Sequence, residues 1–351
     1  MLIFCILLGG YFSFQLNTGK IYDEYSNLWD YRILHPETLP DTDLIELTVA
    51  GNTNSFADTL WIQLIQYIGD NIFNEGYNNF LNAIVEKITI LHPHFSEAYN
   101  LALILSPNVN TDREDYEKRR QVTLEALRIG EKGIQENCNQ EKLQKIYSSE
   151  IGRELWNNSE LKNPCNDSML AYNVAITANE LGEYSKAEQY FKVASLEEDG
   201  PKAAQFLGPL MQAKLGDYKS SGERFLLIAA GAYDEDPYTC QKETALLLKK
   251  YKTTSFQDFI GGLGTYEKNL KHPKTGDNII ASSGNTCYGF NIRAIKQFYL
   301  GFISEITKNH PEVTTGSGIL EKGLLKFIPT IQDQNGWTVR KKDGQWQFQE
   351  K

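Results

Sequence analysis

Apolar residues recur at helical spacing through most of this chain. Phe56, Leu60, Trp61, Leu64, Ile65 and Ile68 share one helical face, and Ser55 stands where a cap is needed. A second apolar helix is expected over Tyr77 to Leu91 and ends at His92-Pro93, because proline lacks a backbone donor and restricts the residue before it. Phe95 to Ala102 opens a third helix. Tyr116 to Gln135 is a fourth, with Ala126, Gly130 and Gly133 as its small face. Glu141 to Trp156 is amphipathic, and Asn157 to Ser168 is a polar loop broken by Pro164. Asp236-Pro237 starts a helix through Lys252, Arg293 to Lys308 is helical, and Gly316 to Lys322 is a last short helix. Two stretches lack that period: Gly261-Gly262-Leu263-Gly264, which we read as a turn, and Lys271 to Gly289. At the end, Trp337 to Phe348 alternates around Asp343-Gly344, a hairpin signature.

Between Met169 and Gly231 one pattern occurs twice, 34 residues apart. Leu181-Gly182-Glu183-Tyr184 recurs as Leu215-Gly216-Asp217-Tyr218, Phe191 as Phe225, and Ala187 is matched by the comparably small Ser221. A fixed period of this length marks one supersecondary unit used again. Each copy reads as an apolar helix, a glycine that ends it in the left-handed conformation, and a second amphipathic helix. The second copy has Gly208-Pro209 in place of Val174-Ala175. A proline there costs about 3 kcal/mol unless the helix kinks or restarts. Ala98-Tyr99-Asn100-Leu101-Ala102 repeats the Ala-Tyr-Asn-x-Ala of Ala171 to Ala175 and marks a degenerate third copy.

Ala171-Tyr172-Asn173-Val174-Ala175 followed by Ala178, Gly182, Tyr184, Ala187, Phe191 and Ala194 resembles the tetratricopeptide repeat family. The helix containing Ala57-Asp58-Thr59-Leu60-Trp61, taken with Leu91 to Tyr99, is similar more loosely to bacterial repeat proteins. The expected fold is mostly α, a tetratricopeptide-like α-solenoid over residues 55–252. Residues 1–18 form an apolar anchor, 19–54 a connector, and 253–351 a small α+β cap that ends in the hairpin. The resemblance implies that the first helix of each pair lines a groove that binds a protein or peptide. It places Tyr172, Asn173, Ile176, Asn179 and Glu180 beside Phe206, Leu207, Leu210, Ala213 and Lys214. Asn173 matches an amide with which the family grips a terminal carboxylate, but Phe206 and Leu207 replace the polar residues expected beside it. The groove is therefore expected to take a hydrophobic or extended segment, with Asn173 bonding its backbone. The alternative is that the cap covers Phe206, Leu207 and Leu210, which then belong to the core.

Composition narrows the function. The 351 residues are 41% apolar, enough for a core, and the net charge of −10 argues against a broad nucleic-acid surface or adsorption to anionic lipid. Leu2 to Leu16 carries no charge. We read it as an uncleaved membrane anchor; the alternatives are a cleaved signal, which would show a basic leader and a small-x-small site, and an apolar core helix. Between Met1 and Leu60 only Lys20 and Arg32 are basic, so no cationic cluster holds the following domain in the cytoplasm, and we expect it outside. Apart from Cys5 there are Cys138, Cys165, Cys240 and Cys287. These form either two bridges, preferably Cys138 with Cys165 and Cys240 with Cys287, or four buried thiols in a reducing compartment.

No catalytic constellation emerges. His35, His92, His272 and His310 each precede a proline, and the pair His92 and His94 lacks cysteine or carboxylate partners at metal-site spacing. Gly261 to Gly264 lacks the setting of a dinucleotide loop, and Ser282-Ser283-Gly284 lacks a nucleophile elbow. We therefore expect no catalytic residues, metal or cofactor, and a membrane-anchored scaffold with a protein or peptide partner. The rival classes are a structural subunit of an envelope or secretion complex and an enzyme whose chemistry lies in residues 253–351. Deleting residues 1–20 is expected to release a folded protein of unchanged helicity from the membrane fraction; circular dichroism showing an unfolded product would identify a core helix instead.

Overall fold

A computed structural model of the chain describes residues 51–71, 78–107, 116–150, 153–231, 237–269, 287–326, 328 and 337–350. The anchor, most of the connector and most of the stretch from Lys271 to Gly289 lie outside the described residues. Among the described residues the chain is mostly helical with one two-stranded antiparallel sheet towards its C-terminal end, and it divides into two compact units, Met1–Cys138 and Asn139–Lys351.

In the first unit are α1 (Thr53–Asn71), α2 (Asn78–Leu91), α3 (Ser96–Leu105) and α4 (Tyr116–Asn137). Leu60 and Leu64, then Leu81, Ile84, Val85 and Ile88, are buried at helical spacing, as the apolar pattern requires. Tyr99 of α3 is fully buried on Gly133 of α4, where an added Cβ would lie 2.7 Å from the ring. Its hydroxyl donates to Pro93 O at 3.0 Å, and Asn137 Nδ2 donates to the same carbonyl at 3.2 Å. Burial pushes the Tyr99 phenol up to about 12. One side chain thus joins the proline turn to the glycine face. Ser106 Oγ donates to Asn82 Oδ1 at 2.6 Å, while Asn82 Nδ2 donates to Val122 O at 3.2 Å, so the buried amide between α2 and α4 is satisfied.

The second unit begins with α5 (Gln140–Ser148), capped by the Asn139 side chain, and α6 (Arg153–Asn157). Two helix pairs follow: α7 (Leu170–Glu180) with α8 (Tyr184–Ala194), and α9 (Ala204–Lys214) with α10 (Tyr218–Gly231). Gly182 and Gly216 have φ of 79° and 85°. Around them the chain makes the same two bonds, Gly182 N to Asn179 O with Glu183 N to Ala178 O, and Gly216 N to Ala213 O with Asp217 N to Gln212 O. These are Schellman ends, which satisfy the last carbonyls of each helix. Helix α9 continues through Pro209 rather than restarting there. The Pro209 carbonyl accepts from Ser221 Oγ of α10 at 2.7 Å, so the small residue of the second helix also bonds the first.

Helices α11 (Pro237–Thr253), α12 (Phe256–Asn269) and α13 (Cys287–Ile306) pack with α10 around Phe225, Leu247, Phe259, Leu263, Phe290 and Phe298, so one core runs across residue 253. The turn expected at Gly261 to Gly264 is instead part of α12. Phe256, Phe259, Ile260 and Leu263 form a buried or half-buried stripe at i, i+3, i+4 and i+7. Its burial outweighs the roughly 1 kcal/mol that each glycine costs a helix. Helix α13 also begins at Cys287, inside the stretch read as irregular to Gly289.

Cys240 and Cys287 form a disulfide between α11 and α13. Beside it the fully buried Asn291 donates to Thr244 Oγ1 at 2.7 Å and to Cys287 O at 3.0 Å. After α14 (Gly316–Glu321), β1 (Trp337–Lys342) and β2 (Gln345–Glu350) form the hairpin. Asp343 and Gly344 have φ of 50° and 81°, the pair of positive angles that a tight two-residue turn needs. Val339 pairs with Phe348 and Lys341 with Trp346, which puts Val339, Phe348 and Trp346 on one face, against Leu300, Ile303 and Ile319. Tyr218 OH donates to Trp346 O at 3.1 Å, and Trp346 Nε1 donates to Thr307 Oγ1 at 3.0 Å.

Helices α10 and α13 approach at Gly222, where an added Cβ would lie 2.8 Å from the Phe298 ring, whereas one at Gly261 would meet nothing within 4 Å. Gly222→Ala is therefore expected to destabilise the protein by about 1–3 kcal/mol through overpacking. Gly261→Ala is expected to stabilise it by about 0.5–1 kcal/mol through helix propensity. Urea unfolding of the two variants checks both signs.

Candidate functional site

The segment from Ser195 to Ala203, which joins the two helix pairs, is tied to the loop after α6 by its own polar groups. Asn163, with φ of 46°, accepts from Glu198 N–H at 2.9 Å and donates from Nδ2 to Glu198 Oε2 at 3.3 Å. Trp156 Nε1 donates to Ser195 Oγ at 3.3 Å, and Ser195 Oγ donates to Lys192 O at 2.7 Å. Glu197 Oε1 accepts from Cys165 N–H at 2.9 Å. These bonds hold the walls of a cleft of about 660 Å³ whose lining includes Trp156, Lys162, Ser195, Glu197, Lys202 and Gln205. That volume lies within the range of small-ligand sites.

Glu197 is the unusual group in this cleft. It is only 7% exposed, and burial pushes its carboxyl up to about 7. The Cys165 N–H and Lys142 pull against that rise, while Asp167 adds to it. The cleft therefore offers a carboxyl that changes charge near neutral pH, an indole wall, an amide from Gln205 and two lysines. This set suits recognition of polar and charged groups.

Two buried charged contacts stabilise the surrounding helices. Lys192 Nζ donates to Ser149 O and, at 3.4 Å, to Tyr147 O, satisfying the end of α5; burial holds its ammonium below the ordinary lysine range. Arg224 of α10 pairs with Glu188 of α8 at 2.5 Å, both side chains being mostly buried.

The residues expected to line a groove are distributed differently. Phe206 packs on Phe290 at 5.9 Å beneath Arg293, and Leu210 packs against the same apolar core. Ala213 packs against the cluster under the hairpin. Tyr172 is half-buried with its ring edge-on to Phe191, Asn173 is buried, Ile176 and Leu207 are half-buried, and Glu180 is exposed. Asn179 and Lys214 do come together: Lys214 Nζ donates to Asn179 Oδ1 at 2.7 Å and lies over the Tyr184 ring.

Comparison of the chain with protein-family models, with curated proteins and with solved structures finds no match. Among the described residues no group of three or more His, Cys, Asp or Glu is placed to hold a metal ion. His94 Nδ1 lies 2.9 Å from Glu136 O, and His92 lies against Phe95.

Sequence reasoning passed over Glu197 because Glu197-Glu198-Asp199 between two helices has the composition of a solvated turn. The available signal was the 34-residue offset of the two copies of the pattern, which puts that turn between the two helix pairs. A carboxyl raised from 4.5 to about 7 keeps its proton in the folded state while the unfolded chain ionises. The wild type should therefore lose stability as pH rises from about 4.5 to 7 and no further above that. Glu197→Gln keeps an acceptor for Cys165 N–H and removes this slope. Urea unfolding is expected to find the variant more stable than wild type at pH 8, by up to about 3 kcal/mol, with the difference vanishing near pH 4.

Proposed function

We propose that this protein is a membrane-anchored, tetratricopeptide-like scaffold that binds a segment of a partner protein and acts in assembly rather than catalysis. The observation that carries this reading is the pair of helix hairpins α7–α8 and α9–α10, offset by 34 residues and closed by the same glycine turn. Repeated helix pairs of this kind present extended surfaces to other chains. The uncharged run from Leu2 to Leu16 supports the anchor, and the disulfide between Cys240 and Cys287 supports an oxidising compartment outside the cytoplasm.

The partner site is best assigned to the cleft at the junction of the two pairs. Phe206 and Leu210, which an open groove would have needed, are packed against the core instead. The cleft is open, polar and fixed by hydrogen bonds from both sides. Crosslinking of the full-length protein in native membranes, followed by mass spectrometry, is expected to yield one dominant protein. Lys202→Glu, an exposed change at the cleft, is expected to change that capture about tenfold or more, in either direction, with an unchanged melting temperature. Capture unaffected by Lys202→Glu, or self-association alone, would overturn this assignment.

A further inference from the structure

Glu197 and Glu198 both line the cleft, each carboxylate with one hydrogen bond among the described residues, and Glu197 is the buried one of the two. Glu198 is held by Asn163 through both its backbone N–H and its carboxylate. The Glu197 carboxylate receives a single hydrogen bond among the described residues, from Cys165 N–H to Oε1, although the residue is more than nine-tenths buried and lines the cleft. Oε2 remains for a ligand. Trp156 packs on the apolar core, and its N–H is committed to Ser195, so what it adds to the cleft is apolar ring surface. A buried carboxylate beside an indole favours a donor cation carried on an apolar stem, since the cation restores the charge balance and the stem covers the ring.

The other charges limit how much positive charge the ligand can bring. Lys162 and Lys202 line the same cleft. Lys142, which acts on Glu197, has its ammonium bound to Lys162 O at 2.6 Å and to Asn163 O at 3.4 Å. A single ammonium finds the buried Glu197 carboxylate; a run of basic residues also meets Lys162 and Lys202, with the exposed Glu198 as the other acid of the lining.

We propose that the cleft takes one primary ammonium, the lysine side chain of an extended partner segment, with Glu197 as its counter-ion and Trp156 against its stem, and that Lys162 and Lys202 exclude polybasic segments. This rests on the reading of the protein as a partner-binding scaffold, and it names what that partner presents. Neutral or acidic residues flank the lysine that fits.

Isothermal titration of the full-length, detergent-solubilised protein tests this with four probes: Ac-Ala-Ala-Lys-Ala-Ala-NH2, the same peptide acetylated on the lysine Nζ, 1,5-diaminopentane, and Ac-Lys-Lys-Lys-Lys-Lys-NH2. The first peptide is expected to bind, the acetylated one at least about tenfold more weakly, and the pentalysine more weakly than the single lysine. Glu197→Gln, which keeps the acceptor for Cys165 N–H, is expected to lose about tenfold for the first peptide while melting no lower than wild type. Equal binding of the acetylated peptide, or unchanged binding in Glu197→Gln, overturns the ammonium assignment and leaves the scaffold reading standing. Binding of the diamine without any peptide overturns both, because the cleft is then a small-molecule site. Silence with all four probes overturns the ammonium assignment alone, since partner capture in membranes is measured separately.

Discussion

The close contact between α10 and α13 is the constraint on which most of the second unit depends. Gly222 lets the Phe298 ring rest against the α10 backbone, and Gly301 of α13 does the same for Tyr218, where an added Cβ would stand 3.3 Å from Tyr218 Cβ. Helices meeting through glycine bring a long apolar face into contact, and the aromatic cluster of Phe225, Phe259, Phe290 and Phe298 is its product. At one end of α10, Tyr218 holds the hairpin through the Trp346 carbonyl. Along its other side, Ser221 bonds the Pro209 carbonyl of α9. Core, hairpin and repeat therefore share one helix.

The same contact explains why the two copies have different surroundings. Position 188 in the first copy corresponds to position 222 in the second. Glu188 uses its carboxylate to pair with Arg224, whereas Gly222 has no side chain and receives α13. The first-helix residues follow suit. Tyr172 stays within its own pair, against Phe191, while Phe206, its equivalent, reaches Phe290 of α13. Apolar surface in the second copy is thus consumed by intramolecular packing, and open polar surface survives at the junction instead, where the bonds of Asn163, Ser195 and Glu197 leave no room for apolar closure.

Burial of Glu197 has a thermodynamic consequence for the fold. A carboxyl that prefers its proton up to about 7 weakens the folded state at neutral pH relative to an amide of the same shape. Groups kept in that condition beside an open cleft are candidates for binding, because a ligand can supply the compensation that the protein does not. Tyr99 is a contrast: its phenol is also raised by burial, but its hydroxyl donates to Pro93 O and its ring packs on Gly133.

What the amino-acid sequence determined by itself was local. Gly182 and Gly216 end their helices because glycine tolerates the left-handed angles that a Schellman turn needs, and Asp343-Gly344 turns the hairpin for the same reason. Apolar spacing likewise identified Leu60, Leu64 and Ile68 as buried in α1, although Ile65 on the same expected face is exposed. Tertiary structure decided what depends on residues distant in the chain. Gly261 to Gly264 are helical because Phe259 and Leu263 have α10, α11 and α13 to pack on, an energy that no short window contains. Phe206 and Leu210 face a core rather than a groove because Gly222, more than ten residues away, admits α13. Glu197 became distinctive through desolvation, and desolvation is a property of the surroundings assembled from both sides of the cleft, whereas composition and spacing describe only the residue and its neighbours along the chain.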